Sequence, residues 1–366
     1  MTQKQRLSNA ERVDWLRLSR TPNIGPVTFT ELLKRYGTAA NALANLAELT
    51  RKRPLVPPSQ SQIEDEIAAT QKYGARIIAS CEPDYPTLLR AVDPPPPVLS
   101  VLGNNRHFEQ DSLAIVGARN ASAAGRKIAR DMAENLGKAG YIIVSGMARG
   151  IDGEAHAASL ETGTIAVLGG GVNHIYPPQH DRLYAALASD GLIVSESPFG
   201  HKATAKDFPR RNRLITGLSL GTIVIEAAER SGSLISARTA LEQNREVMAV
   251  PGSPLDPRAA GTNRLIQQGA ALVRSSDDVL DIISSLVRAK FEMPEQPVYE
   301  GQSELDAPPP HQIAAVKEAL SHTPTQLDEI ARAAGIGPAR CAAILMELEI
   351  SGEAITLAGG LATRAL

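Results

Sequence analysis

The stretch that decides the fold is Leu113-Ala-Ile-Val-Gly117-Ala-Arg119-Asn-Ala-Ser122, with Gly125 shortly after it. Its first four residues form an apolar run of strand length, and residues 125–139 beyond the turn have the length of a helix. A strand that passes into a helix through a glycine-containing turn is typical of the first unit of a doubly wound sheet. Phosphate groups bind at this turn in such folds, because the start of the helix offers free N–H groups and positive partial charge.

The same alternation of strand-length and helix-length segments continues as far as residue 288. The further predicted strands are residues 141–144, 165–168, 192–194, 222–226, 246–250 and 271–273. The further predicted helices are residues 153–161, 180–188, 210–219 and 234–244. Because the strands are apolar on both faces and alternate with helices, the sequence predicts an α/β fold with an extended Rossmann-like, doubly wound, mostly parallel sheet.

Two smaller domains are predicted on either side of this sheet. Residues 1–104 have a largely helical pattern, and the proline run at 93–97 fits neither a helix nor a central strand. Residues 289–310 are polar and contain several prolines, which predicts a linker. Residues 311–366 read as three helices and a short β-wing, which together predict a winged helix. The predicted order is therefore helical domain 1–104, sheet domain 105–288, linker 289–310 and winged helix 311–366.

Composition excludes several classes of protein. The 366 residues carry a net charge of −2, so a nucleic-acid site would have to come from local clustering of arginine and lysine. The two cysteines, Cys81 and Cys341, stand far apart and outside any metal-ligand spacing, so we expect reduced thiols and no bound metal or cofactor. The amino terminus lacks the apolar core of a signal peptide, and no apolar run reaches the length of a membrane span. A cytoplasmic location is expected.

The first two turns argue against a dinucleotide cofactor. Arg119 stands where a dinucleotide fold needs glycine for the pyrophosphate, and the second strand ends in Ser145-Gly146 without a carboxylate for a ribose hydroxyl. Arginine at this position suits a large or exposed phosphate instead. Arg149 follows at the second turn, where it could bind the same ligand or simply lie on the surface.

Glycine recurs at the third turn, Gly169-Gly170-Gly171, which permits either close approach to a ligand or a tight bend. In the second turn, Asp152 is a candidate helix cap, and His156 reads as a buried or surface histidine rather than a base.

The strongest charge signal lies in residues 201–213. Five lysines and arginines stand there against one aspartate, with Phe208 among them. Cations for phosphates and an aromatic ring for base stacking are the combination that single-stranded nucleic acid requires. The alternative is a solvated surface loop in which Phe208 packs against the helix that begins near Pro209.

An enzyme reading depends on Glu226, which stands at a strand end before Ser231-Gly232-Ser233. The carboxylate could act as an acid or base beside a phosphate-binding turn, or it could pair with a neighbouring arginine and orient it. We favour the second, because many arginines stand nearby. The sequence also shows no Ser-His-Asp, paired-carboxylate or metal spacing elsewhere.

The winged helix carries a weak signal for DNA. Its candidate recognition helix has Arg340 as its only strong cation, against Glu347 and Glu349. A helix that enters a major groove normally carries more positive charge, so we expect this domain to bind protein, or DNA weakly.

Five motifs, in this order and spacing, resemble the DprA/Smf family. They are Gly117-Ala-Arg-Asn-Ala-Ser122, Ser145-Gly-Met-Ala-Arg-Gly-Ile-Asp152, Phe208-Pro-Arg-Arg-Asn-Arg-Leu-Ile215, Glu226-Ala227 with Ser231-Gly-Ser233, and Pro251-Gly-Ser253. The resemblance implies a helical SAM-like amino-terminal domain and a carboxy-terminal winged helix. It also implies a homodimer that binds single-stranded DNA and helps load the RecA recombinase in natural transformation. The dimer and RecA contacts would lie near residues 264–273.

The resemblance also implies roles for individual residues. Arg119 would clamp a phosphate, Lys206, Arg211 and Arg213 would line a basic pocket, and Phe208 would stack on a base. The expected DNA-binding residues are Gly117, Arg119, Ser122, Ser145, Gly146, Arg149, Lys206, Phe208, Arg210, Arg211 and Arg213. The expected supports of the pocket are Gly169, Gly170, Gly171, Asn212, Glu226, Ser231 and Ser233. Which of Lys202, Lys206 and Arg210 meets the strand stays open, and no catalytic residue is expected.

One enzyme alternative remains, a phosphoribohydrolase of the related lysine-decarboxylase-like fold. Such proteins carry a Pro-Gly-Gly-x-Gly-Thr motif before a catalytic glutamate, whereas this chain has Leu218-Ser-Leu-Gly-Thr222 before Glu226. The paired glycines that would hold a phosphate are missing.

Overall fold

The computed structural model describes residues 6–46, 55–292, 308–351, 353–357 and 360–365. The chain divides into two compact units, Met1–Arg288 and Ala289–Leu366. Within the described ranges, no helix is both long enough and apolar enough to cross a membrane.

A nine-stranded sheet forms the centre of the first unit. Its strands are β1 (Arg76–Ala79), β2 (Val98–Gly103), β3 (Ser112–Gly117), β4 (Ile142–Ser145), β5 (Thr164–Leu168), β6 (Leu192–Ser195), β7 (Gly221–Ile225), β8 (Glu246–Ala249) and β9 (Ala271–Leu272). The spatial order is β1-β2-β6-β5-β4-β3-β7-β8-β9. The strands from β6 to β9 in this order are parallel. At the other edge, β2 pairs antiparallel with both β6 and β1. The predicted mostly parallel, doubly wound sheet is confirmed.

Helices cover both faces of this sheet. The principal ones are Ala123–Lys138, Ile151–Ala158, Asp181–Ser189, Asp207–Gly217, Gly232–Glu242, Ala260–Gln267 and Ser276–Glu292. Alternate residues of β3 show the two layers, since Ala114 and Val116 pack with the helix Asp207–Gly217, and Leu113 and Ile115 with the helix Ala123–Lys138. A strand buried on both faces can carry no polar face, which explains the unbroken apolar runs in the sequence.

The amino-terminal residues form the helices Asn9–Arg20, Pro26–Tyr36, Ala39–Ala44 and Gln60–Lys72, followed by the short helix Thr87–Arg90. The sheet begins earlier than the sequence suggested, because β1 and β2 both precede residue 105. The proline run at 93–97 connects the short helix to β2 and does not end a domain. A four-residue strand such as β1 offers too short a pattern to be separated from the helices around it.

The second unit contains the helices Pro310–Ala319, Leu327–Ala333 and Pro338–Ile350. A three-stranded sheet in the order β10-β12-β11 completes it, with β10 at Thr325–Gln326, β11 at Ala354–Leu357 and β12 at Leu361–Arg364. The predicted winged helix is confirmed, and its core contains Ile330, Ile344 and Leu348. Most of the predicted linker, residues 293–307, lies outside the described residues.

Candidate nucleic-acid interface

An open cleft of about 840 Å³ lies at the carboxyl ends of β3, β4 and β7, beside the helices Asp207–Gly217 and Gly232–Glu242. Among the described residues that line it are four arginines, Arg119, Arg211, Arg230 and Arg258. Asp152 is the one carboxylate residue among those same lining residues, and it is buried. The cleft is therefore strongly cationic in a chain whose net charge is −2.

Arg119 is the most prominent of these side chains. It is exposed, and within the described part of the chain it makes no ion pair. Its guanidinium carbon lies 5.1 Å from the centre of the Phe208 ring, so a cation–π contact helps to fix its position. Arg119 and Phe208, which stand far apart in the sequence, are thus in contact, and the cation stays available to an anion.

Two further cations, Arg149 and Lys206, lie at the rim of the cleft. Arg149 is exposed and lines a side groove of about 240 Å³ that Arg119 and Tyr176 share with the main cleft. Lys206 is exposed on the loop whose residues Ala203 and Ala205 line the cleft. A charged chain crossing the cleft would therefore meet cations at both the floor and the rim.

Arg211 is buried rather than exposed, with 7% of its surface accessible. Its Nη1 donates to the carbonyl oxygen of Gly146, 2.6 Å away, and to that of Val167. Burial lowers the pKa of this guanidinium to about 10, although Asp152 opposes the shift. Arg211 therefore links the carboxyl ends of β4 and β5 from beneath the cleft, which its side chain also lines.

Arg210 and Arg213 lie apart from the cleft. Arg213 donates to both carboxylate oxygens of Glu196 at 2.5 Å, and Nε of Arg210 lies 3.6 Å from the same carboxylate. Glu196 offsets their charge, and neither arginine lines the cleft. The predicted cluster of cations in residues 201–213 is therefore divided. Arg211 lies beneath the cleft, Lys206 lies at its rim, and Arg210 and Arg213 pair with Glu196.

Of three residues expected to approach the DNA closely, Ser145 and Gly146 are buried, and Gly117 is half-buried where it lines the cleft. The hydroxyl of Ser145 is buried and donates to the carbonyl oxygen of Ile115, 2.6 Å away. A Cβ atom at Gly117 would lie 1.9 Å from the carbonyl oxygen of Ile225, and one at Gly146 would lie 2.5 Å from Nη2 of Arg211. Both glycines are therefore required by contacts within the chain, whatever ligand the cleft takes.

The helix start after β3 is already occupied by a carboxylate of the chain itself. Oε2 of Glu226 accepts from the backbone N–H of Ser122 at 2.9 Å, and Oε1 accepts from the Ser122 hydroxyl. A Cβ atom at Gly125 would lie 2.5 Å from the carboxyl carbon of Glu226, which explains the glycine. Glu226 thus takes the place predicted for a phosphate, and its bonds go to Ser122 rather than to an arginine.

Two of the predicted supports of the pocket, Gly170 and Gly171, make hydrogen bonds within the chain. The Ser195 hydroxyl donates to the carbonyl oxygen of Gly170 at 2.5 Å, and the N–H of Gly171 donates to that of His201 at 2.8 Å. Asn212, Ser231 and Ser233 line the cleft, and Gly169 lines a small pocket next to it that Phe208 also lines. Ser231 also caps the helix Gly232–Glu242.

Asp152 and His156 lie in the buried layer below. Oδ2 of Asp152 accepts from the N–H groups of Gly146 and Ala148 at 3.1 and 3.3 Å, so it holds the turn that precedes its helix. Burial raises the pKa of Asp152, although Arg211 opposes the shift. Burial also lowers the pKa of His156 to about 3. Among the described residues, no cluster of side chains could hold a metal ion.

Sequence reasoning missed Arg230, Arg258 and Tyr176 as cleft residues. Arg230 directly precedes the Ser231 cap, so its position beside a strand end was a usable signal. Arg258 stands in the loop after β8, where no local pattern sets it apart. It also pairs with Asp256 at 2.9 Å.

Comparisons with known proteins agree with this architecture. Residues 76–284 match the family described as DNA recombination-mediator protein A, residues 9–69 the DprA-like N-terminal HHH domain, and residues 302–360 the DprA winged helix domain. Protein Smf of Escherichia coli is 38% identical over 305 residues, covering 82% of this chain and 80% of that protein. The DNA processing protein DprA of Bacillus subtilis is 42% identical over 218 residues, covering 59% and 73%.

Two solved structures are also similar. DprA from Streptococcus pneumoniae has a TM-score of 0.64 and 30% identity, covering 76% of this chain and 98% of that chain. DprA from Helicobacter pylori, described for its single-stranded DNA binding mode, has a TM-score of 0.53 and 27% identity, covering 59% and 96%. The chain therefore belongs to the DprA/Smf family of DNA recombination mediators.

Proposed function

We propose that the chain binds single-stranded DNA in the cationic cleft and acts as a non-catalytic recombination mediator. The observation that carries this proposal is the exposed Arg119 held over Phe208, in a cleft where Arg230 also makes no ion pair within the described residues. Phosphate contacts to such arginines bind any sequence, because the phosphate backbone carries no base information. The single-stranded DNA binding described for the Helicobacter pylori relative supports this proposal.

The cleft favours a single strand over a duplex. Aromatic rings stand next to its cations, and an aromatic ring can stack only on a base whose face is open. The bases of a duplex are stacked on each other, so the duplex would offer phosphates alone. We therefore expect the two forms of DNA to differ in affinity.

The protein's partners belong to the same proposal. We propose a cytoplasmic homodimer that protects incoming strands and helps load RecA in natural transformation. Residues 264–273 are the proposed contact region, and they include part of the helix Ala260–Gln267 and the edge strand β9. Leu272 on this edge is 46% exposed, and an exposed apolar side chain on an edge strand is suited to a protein contact.

The test is a titration of a fluorescent oligonucleotide, followed by anisotropy across a salt series. Arg119→Ala should weaken single-strand binding about tenfold or more, because charged hydrogen bonds contribute about 1.5–3 kcal/mol each. It should also reduce the slope of log Kd against log salt by about 0.7 for each phosphate that the variant no longer neutralises. Wild-type protein should bind the duplex more weakly than the single strand.

Arg130→Ala is the matched control for Arg119→Ala. Arg130 is another exposed arginine, but it pairs with Glu154 and does not line the cleft. Its loss should change the affinity for DNA by less than about twofold, because Arg130 lies outside the cleft and an exposed ion pair contributes little to stability. Equal affinity of the Arg119→Ala variant and the wild type would remove the cleft from the binding site.

A further inference from the structure

Tyr176 stands where the cleft and its side groove meet, and it lines both. Its side chain is 42% exposed, and its hydroxyl makes no hydrogen bond with the described residues. Pro177 and Pro178 follow it, so the backbone next to the ring has little freedom. The exposed aromatic ring is therefore carried into the cationic cleft by a backbone segment of restricted freedom.

Phe208, by contrast, has its own neighbours on several sides. The guanidinium of Arg119 lies 5.1 Å from its ring centre, and the ring of Tyr176 lies 5.2 Å away at an angle of 41°. The Gly169 backbone is so near that a Cβ atom there would lie 3.4 Å from Cδ1 of the phenylalanine. The surface of Phe208 is thus largely occupied by groups of the chain itself.

We propose that Tyr176 is the residue on which a nucleobase stacks, while Phe208 positions Arg119 and Tyr176 beneath the strand. The proposal rests on the proposed function and adds to it a stacking contact with the face of a base. Arg119 would hold a phosphate while the neighbouring base lies on Tyr176, since the two side chains share both the cleft and the groove. Stacking of this kind accepts every base, because every base has a π-face.

The experiment compares an ordinary oligothymidylate with an abasic oligonucleotide of the same length. The two probes carry the same phosphates, and only the first carries bases. Tyr176→Ala should weaken binding of oligothymidylate about fivefold to tenfold and change binding of the abasic probe by less than about twofold. Arg119→Ala should weaken both probes, because it removes a phosphate contact.

Tyr176→Phe should restore most of the affinity for oligothymidylate, since phenylalanine keeps the ring and loses only the hydroxyl. Tyr141→Ala is the control for loss of a tyrosine elsewhere, because Tyr141 precedes the amino end of β4, whereas the cleft lies at the carboxyl ends of the strands. It should bind both probes like the wild type. A 2-aminopurine base in the probe should be quenched by wild type and Tyr176→Phe, and less by Tyr176→Ala.

Equal weakening of both probes by Tyr176→Ala would assign Tyr176 to the phosphates or to the fold, and would overturn the stacking proposal. Failure of Tyr176→Phe to restore binding would overturn it as well. If wild type binds both probes and Arg119→Ala weakens them while Tyr176→Ala changes neither, the stacking role is wrong and the cleft remains the binding site. If wild type binds neither probe, the proposed function fails and the stacking proposal fails with it.

Discussion

The arginines after Phe208 show how one short segment distributes its charges. Arg210, Arg211 and Arg213 belong to one helix, in which each residue is turned by about 100° from the one before it. Arg211 therefore points into the protein, while Arg210 and Arg213 reach Glu196. A count of positive charges in the sequence predicts a cationic segment, but the helical turn decides which charge faces the ligand.

His156 gives a pH dependence at the scale of one residue. The Thr164 hydroxyl donates to the carbonyl oxygen of Ile143, so Nδ1 of His156 must donate to Thr164, 2.7 Å away. The Nε2 atom of the ring has no partner among the described residues, so a second proton there would find no acceptor. Burial lowers its pKa from an ordinary 6.5 to about 3.

The sign of this effect follows from proton binding. Below pH 6.5 the unfolded chain binds a proton at His156 that the folded chain rejects down to about pH 3. The contribution of neutral His156 to stability is therefore complete above pH 6.5. It falls as the pH drops, by up to about 1.4 kcal/mol per pH unit. Urea unfolding at pH values from 7.5 to 5 should show a steeper loss for wild type than for His156→Asn, which can still donate to Thr164. Parallel curves would contradict this assignment.

The bond between Glu226 and Ser122 acts at the scale of an element. It joins the end of β7 to the start of the helix Ala123–Lys138, and a negative charge at a helix start is stabilising. Glu226→Ala should lower the free energy of unfolding by about 1–2 kcal/mol, because the N-cap residue Ser122 loses the acceptor of its N–H and hydroxyl. Glu226→Gln should cost less, since the amide oxygen can still accept. Thermal unfolding followed by circular dichroism measures both.

Measurements of DNA binding and of hydrolysis distinguish this structural role of Glu226 from an enzyme role. Both Glu226 variants should bind the single strand within about twofold of wild type, because the carboxylate contacts the helix start rather than the ligand. Release of free base from nucleoside monophosphates by wild type, and its loss in Glu226→Gln, would contradict the structural role and support a hydrolase.

The elements themselves could be predicted where their pattern was long. Strands β3 to β8 and the helices between them follow from apolar runs and their spacing, and the ends differ by only a few residues from those predicted. The strands β1 and β2 could not be placed, because their pairing with each other and with β6 depends on residues far away in the chain. Glu226 illustrates the same limit, since its partner Ser122 is 104 residues away.

At the scale of the molecule, the sequence locates the site but not its internal order. The carboxyl ends of parallel strands lie at one edge, so Arg119, Arg149 and the loop before Phe208 could be placed together. Which glycines serve internal packing, and which arginine meets Glu196, depends on contacts between distant segments. Tyr176 was missed for that reason, whereas Arg230 stands directly before the Ser231 cap and could have been found.

The amino-terminal helices contact the loop that forms the rim of the cleft. Arg20 and Glu66 form an ion pair of 2.9 Å whose side chains are 9% and 11% exposed. Nη1 of Arg20 also donates to the carbonyl oxygen of Glu196 at 2.9 Å, and Glu66 accepts from the N–H of Phe199 at 3.4 Å. Residues 196–206 lead from β6 into the helix that carries Phe208, so these bonds hold the first part of that loop.

Removal of the Arg20 side chain should loosen the loop and weaken DNA binding. Arg20→Ala should increase hydrogen exchange in residues 196–206 and raise the Kd for single-stranded DNA about twofold to tenfold, the cost of ordering a loop and its side chains on binding. Arg12→Ala is the matched control, because Arg12 pairs with the buried Glu82 at 2.5 Å and donates to the carbonyl oxygen of Ile77 at 2.6 Å. Both variants should lose stability, but only Arg20→Ala should change loop exchange and affinity. If the two variants weaken binding equally, the effect is one of general stability and the amino-terminal helices do not order the rim.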